Sequence, residues 1–230
     1  MNSLGFNKSE SDTKVVVAMS GGVDSSVVAV MLKNEGYNVT GITLRLYNNQ
    51  ETAKSKACCA GIDIQDAINV SKKFNFEHIT LDYQDKFYNG VISNFVDSYS
   101  NGETPIPCVS CNQTVKFSDL LNEAKKMGAD ALVTGHYARR RGSLTNASLH
   151  KAKDLSKDQS FFLFATLQEQ LDFVRFPLGD YNKKEIRQIA EKYELDVSNK
   201  PDSQDICFVT SDSYRNLIKS INPDTYKEGI

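Results

Sequence analysis

A strand, a Gly-Gly turn and a helix follow one another between Val15 and Gly36, and this unit constrains the fold more than any other stretch. Val15-Val16-Val17-Ala18-Met19 is a β-branched run that reads as a buried strand. Val27-Val28-Ala29-Val30-Met31-Leu32, followed by Lys33-Asn34-Glu35-Gly36, reads as a buried helix closed by a glycine cap. Between them stands Ser20-Gly21-Gly22-Val23-Asp24-Ser25-Ser26. Glycines let the backbone approach an anion, N–H groups point at it, and the helix start adds partial positive charge. The stretch is expected to cradle phosphate. It is not a P-loop, because it contains no lysine and no Gly-Lys-Ser/Thr follows at the required spacing. An ordinary strand-to-helix turn would explain the glycines but not the serines and aspartate packed around them.

Further strands are expected over residues 37–47, 77–83 and 129–135, alternating with helices over 62–74, 85–99 and 114–127. That alternation implies an α/β fold with a doubly wound, mostly parallel sheet. Ligands in such sheets sit beyond the carboxyl ends of the strands. Residues 20–26, the residues after Leu44, and Gly135-His136 all fall at that edge, so one ligand touching all three is expected. His136 reads equally well as a structural histidine. Residues 48–61, with Cys58 and Cys59, read as a loop.

Beyond residue 138 the chain turns short, polar and basic, and residues 138–153 suggest a hairpin. Arg139, Arg140, Arg141, Lys151, Lys153 and Lys157 face only Asp154. A solvated basic surface and a phosphate-backbone footprint both remain open. Helices are expected from Asp158, over 182–193 and over 213–220, with a loop over 201–208. The expected organisation is a flexible tail (1–13), a nucleotide domain (14–138), a small basic, mainly helical appendage (139–220), and the start of a linker (221–230).

The net charge of −2 gives no global preference for nucleic acid, so any such partner must use a local face. No stretch reaches membrane-spanning length, and the polar N-terminus lacks the apolar core of a signal peptide; a cytoplasmic protein is expected. Five cysteines in that setting favour reactive or metal-binding use over static disulfides. Cys108-Val109-Ser110-Cys111 is a CxxC preceding a helix, where the helix start favours thiolate. Cys207 stands far along the chain in another polar loop. Three such cysteines suit a thiol pair that exchanges sulfur, an iron–sulfur cluster with one open position, or three ordinary thiols.

Ser20-Gly21-Gly22-Val23-Asp24-Ser25 resembles the pyrophosphatase-loop motif of the N-type ATP pyrophosphatases, which adenylylate a substrate oxygen. Thr104-Pro105-Ile106-Pro107-Cys108-Val109-Ser110-Cys111-Asn112, Thr134-Gly135-His136-Tyr137, Lys157-Asp158-Gln159-Ser160-Phe161-Phe162-Leu163 and Asp205-Ile206-Cys207-Phe208 narrow the resemblance to the tRNA-specific 2-thiouridylase family. The match runs from Lys14 to about Tyr214. It implies ATP-dependent sulfur insertion at C2 of the wobble uridine of glutamate, glutamine and lysine tRNAs, with release of AMP and pyrophosphate. By the resemblance, Ala18, Met19, Ser20, Gly21, Gly22, Val23, Asp24, Ser25, Leu44 and Gly135 bind ATP, with Asp24 acting through Mg2+. Cys207 carries sulfur as a persulfide, supplied by an upstream relay protein, and Cys111 releases it by forming a disulfide. Ile106, Pro107 and Cys108 contact the target base; His136, Lys157, Asp158 and Gln159 contact the tRNA.

Two departures stand out. Many family members carry aspartate where this chain has Cys108, a substitution that supplies a third thiol and raises a [4Fe-4S] cluster on Cys108, Cys111 and Cys207 as a competing arrangement. The family also continues into largely β domains past the end of this chain. Two other functions fit the loop without the cysteines: a synthetase acting on a small molecule, and a non-catalytic nucleotide- or RNA-binding module.

Overall fold

The computed structural model describes residues 1–46, 61–202, 206–209 and 214–223; the loop with Cys58 and Cys59 and the expected linker beyond residue 223 lie outside them. Five parallel strands form the main sheet: β1 (Lys14–Ala18), β2 (Asn38–Arg45), β3 (Glu77–Asp82), β4 (Ala131–Thr134) and a short edge strand (Val174–Arg175), in the order β3-β2-β1-β4-edge. The order reverses beside β1, which makes the crevice at the carboxyl ends of β1 and β4 the natural ligand position.

Period-two alternation builds a core on each face. Val16, Ile42, Leu44 and Leu132 bury on one side, and Val15, Val17, Val39 and Val133 on the other. Helix α1 (Val23–Glu35) buries eight of its thirteen positions, including an unbroken run from Ser25 to Val30, because the sheet lies beneath it and other helices flank it. It ends where Gly36, at φ 99°, donates its N–H back to Leu32 and Lys33. Helix α2 (Gly61–Lys73) follows β2 as its spacing predicts.

The next two helices differ from expectation in a shared way. α3 (Gln84–Phe87) and α4 (Ser93–Ser100) are joined by a π segment (Tyr88–Ile92). α5 (Pro107–Cys111) and α6 (Leu121–Lys126) are joined by another (Asn112–Leu120). The second helix thus begins at Pro107, seven residues before the predicted start, since proline suits the first helical position. The CxxC lies inside its first turns rather than ahead of it.

The basic stretch is the expected hairpin, an antiparallel pair over Arg139–Ser143 and Asn146–His150. Its arginines are largely consumed internally. Arg140 donates to the carbonyls of Leu171, Ser143 and Asp172, Arg139 to that of Lys151, and Arg141 pairs with Asp180. The helix expected from Asp158 is only a 3-10 turn (Ser160–Leu163), followed by α7 (Gln168–Phe173). α8 (Lys183–Lys192) and α9 (Tyr214–Ile221) match expectation. The edge strand was not foreseen, and through it the appendage lends a strand to the sheet.

The expected loose tail is also corrected. Leu4 and Phe6 are buried. Buried Arg175 donates to the Leu4 carbonyl at 2.9 Å and lies over the Phe6 ring, 4.7 Å from its centroid. Burial, reinforced by the charge of Arg140, pushes that guanidinium down to about 10.

Candidate active site

The glycine loop leaves β1 and enters α1 as expected, with Ser25 at its centre. The Ser25 hydroxyl accepts from the Ser20 N–H at 3.1 Å and donates to the Gly22 carbonyl at 3.3 Å. The turn requires glycine at 21, where φ is +74° and a Cβ would lie 2.1 Å from the Asp63 carbonyl oxygen of α2. Gly135, just past β4, closes on the same loop: a Cβ there would lie 2.9 Å from the Ser25 nitrogen. Two sheet termini therefore meet at one N–H-lined turn. Ser26 Oγ, wholly buried one residue on, is left without a hydrogen-bond partner among the described residues.

Ala18 ends β1, Met19 and Val23 are buried flanks of the loop, and Leu44 lies in β2 opposite Leu81. Asp24 points out of the first turn of α1, but not into open solvent. Both its oxygens lie 2.8 Å from Lys183 Nζ, and the Tyr137 hydroxyl donates to it at 2.8 Å. Burial and the neighbouring carboxylate push the Tyr137 phenol far up, so it serves as a donor. Lys183 also reaches Asp202 at 2.8 Å, which is held in turn by Lys157 at 2.9 Å and Arg187 at 3.0 Å. Burial would raise the Asp202 carboxyl, yet hydrogen bonds and charge from Lys183 and Lys157 win and hold it at about 2. Lys200 bonds the Gly21 carbonyl at 3.0 Å and pairs with Asp63 and Asp66 of α2.

Sequence reasoning missed Lys183, Lys200, Asp202 and the Tyr137 hydroxyl. One signal was available: Asn182-Lys183-Lys184-Glu185 is a capping box, both halves of which form. It places Lys183 at a helix N-terminus, where a cation is disfavoured unless carboxylates hold it there.

The tRNA-binding expectations meet a more structural arrangement. Lys157 pairs with Asp202, Asp158 accepts from the Ala152 N–H and the Ser160 hydroxyl, and Gln159 exchanges two hydrogen bonds with the Tyr137 backbone. His136 packs edge-on against Phe117 and Phe176, and its Nδ1 lies 2.7 Å from the Thr134 hydroxyl. Burial, with the charge of Lys116, holds it well below the usual imidazole range, so it is neutral at pH 7. Ile106 and Cys108 are exposed beside buried Pro107.

Cys111 is buried and Cys207 partly buried; they and Cys108 are thiols, not joined in a disulfide. Cys111 belongs to the same core as Leu46 and Tyr83, the residues just past β2 and β3. Cys207 packs on that core, pinned by Phe208, whose ring meets Phe95 at 5.1 Å and Phe87 at 5.8 Å. Cys111 is thus part of the core on one face of the sheet, and Cys207 packs against it. A [4Fe-4S] cluster does not fit this arrangement: among the described residues no three Cys, His, Asp or Glu side chains gather to hold a metal ion. For Mg2+ a single carboxylate suffices when phosphates and water supply the rest, and Asp24 is the carboxylate at the loop.

A parallel sheet with a glycine turn between its first strand and first helix is the arrangement of a HUP-type domain. The chain belongs to the family described as tRNA methyl transferase HUP domain, whose model matches residues 13–211. It is 56% identical over its whole length to a protein of Hyphomonas neptunium named tRNA-specific 2-thiouridylase MnmA, covering 58% of that protein. Its identity to a protein of the same name from Rhodospirillum centenum is 54%, with 59% of that protein covered. The chain thus spans about three-fifths of the relatives it matches. Among solved structures, a 4-thiouridine synthetase–RNA complex with bound ATP aligns over 93% of this chain and 51% of its own, with TM-score 0.51 and 15% identity. NMN synthetase from Francisella tularensis aligns over 93% of this chain and 78% of its own, with TM-score 0.51 and 16% identity. At these identities the two structures establish the fold alone.

Proposed function

We propose that this chain is the nucleotide- and cysteine-bearing part of a tRNA-uridine 2-sulfurtransferase. The observation that carries the reading is a glycine turn closed on by Gly135 at the carboxyl ends of β1 and β4, in a fold whose core on one face of the sheet takes in Cys111 and has Cys207 packed against it. The family label speaks of methyl transfer, but the paired cysteines and the named relatives favour sulfur.

The chemistry needs both parts. A uracil oxygen is a poor leaving group, so C2–O first attacks the α-phosphorus of ATP, expelling pyrophosphate and leaving a C2–O–AMP adenylate. Backbone N–H groups of the loop and the start of α1 stabilise charge on the phosphates. Asp24 would hold Mg2+ there, and the ion would offset phosphate charge. A Cys207 persulfide then attacks C2, and AMP departs with the original oxygen. Attack of the Cys111 thiolate on the Cys207 sulfur breaks the S–S bond, leaves the thiocarbonyl on the base and forms a Cys111–Cys207 disulfide, which an external dithiol reduces. A base embedded in the anticodon stack cannot reach this edge, so it is flipped out, with Ile106, Pro107 and Cys108 beside it. Lys157, Asp158, Gln159 and His136 shape the adjoining surface for tRNA.

The test is nucleoside mass spectrometry after incubation with ATP, Mg2+, a persulfide donor and glutamate, glutamine or lysine tRNA. 2-Thiouridine should form with ATP and vanish in Cys111→Ser and Cys207→Ser. ATP consumption that ignores tRNA and both cysteines would instead mark a small-molecule synthetase.

A further inference from the structure

We propose that Lys183 is a positioning residue that ties nucleotide occupancy at the glycine loop to the placement of Cys207. The inference rests on the reading of that loop as an ATP site and of Cys207 as the sulfur carrier.

One ammonium serves two segments. Lys183 Nζ sits 2.8 Å from both oxygens of Asp24 in the loop and 2.8 Å from Asp202, and its side chain is only 12% exposed. The stem is fixed at its root, because Asn182 and Glu185 cap the helix and the Lys183 N–H donates to Asp154 at 3.1 Å. From the other direction Lys200 bonds the Gly21 carbonyl and the carboxylates of Asp63 and Asp66. The segment holding Lys200 and Asp202 is thus docked on the glycine loop at two points. Five residues past Asp202 comes Cys207, and Phe208 then enters the core. A polyphosphate arriving at the loop attracts the ammonium, while its cation attracts Asp24. Both changes weaken the Lys183–Asp24 pair, and because the same ammonium is one of three cations on Asp202, beside Lys157 and Arg187, the anchor ahead of Cys207 changes with it.

The experiment measures iodoacetamide alkylation of Cys207 by peptide mass spectrometry in the whole chain. Each protein is assayed with and without Mg2+ and an ATP analogue carrying a methylene in place of the α–β bridging oxygen, and calorimetry measures analogue affinity in parallel. In the unmodified protein the analogue should change the Cys207 rate at least threefold. Lys183→Met and Asp202→Asn should each raise the nucleotide-free rate severalfold and erase the response, and Lys183→Arg should restore it. Asp202→Asn should still bind the analogue within about threefold of the unmodified protein, which separates lost coupling from lost binding. A Cys207 rate indifferent to bound analogue, or an unchanged response in Asp202→Asn, overturns the inference. Failure of the unmodified protein to bind the analogue overturns the ATP reading itself, and the inference with it.

Discussion

Gly135→Ala tests whether the glycine loop is held in shape by the end of β4. The added Cβ would lie 2.9 Å from the Ser25 nitrogen, 3.1 Å from the Asp24 carbonyl carbon and 3.2 Å from the Asp24 Cβ. Two of these three atoms are backbone, so no side-chain rotation relieves the clash; either the loop or the chain after β4 must move. Overpacking of this kind costs about 1–3 kcal/mol. If the strain falls wholly on the nucleotide-competent loop, affinity drops about 5- to 150-fold, since about 1.4 kcal/mol is tenfold. Calorimetry with the methylene ATP analogue measures that drop, and thermal unfolding apportions strain between loop and fold. A variant that binds the analogue and unfolds like the unmodified protein would refute the claim that Gly135 braces the loop.

Asp202, held at about 2 in the fold against an ordinary value near 4, contributes stability that is fully present above pH 4 and lost as pH falls toward 2; acid unfolding of Asp202→Asn should lack that part of the slope. His136 has its value lowered by burial, so the folded protein resists protonating it and stability declines as pH falls below about 6.5. Its imidazole resonances should stay those of the neutral ring from pH 8 to 6 by NMR. Phe208→Ala removes a ring packed on Phe87 and Phe95 and should cost about 3 kcal/mol or more of local anchoring; Cys207 alkylation then rises more than tenfold while analogue affinity stays within about threefold.

The sheet was legible because its strands carry the simplest signals. Val15 to Val17 and Ala131 to Val133 are apolar runs bounded by turns, and Gly36 marks the end of α1 as its position suggested. The edge strand at Val174–Arg175 was hidden, since two residues carry no period and one is an arginine whose burial depends on the distant Leu4 carbonyl as well as on the nearby carbonyls of Asp172 and Val174. The same reason hid Lys183 and Asp202. Single charged residues within a polar helix and a polar loop look solvated until folding brings Asp24 to Lys183 across 159 positions and Lys183 to Asp202. Three arginines at 139–141 look like a free basic face, yet hydrogen bonds to carbonyls and Asp180 occupy them. Tertiary partners decide what a surface charge is for, and no local window contains them.

The proposed reaction has the loop activate a uridine oxygen as an adenylate for attack by sulfur. Its most direct test uses tRNA whose wobble uridine carries 18O at C2, incubated with ATP, Mg2+ and a persulfide donor. 2-Thiouridine should form, and the 18O should leave in AMP. Recovery of the label in pyrophosphate, inorganic phosphate or water would contradict it.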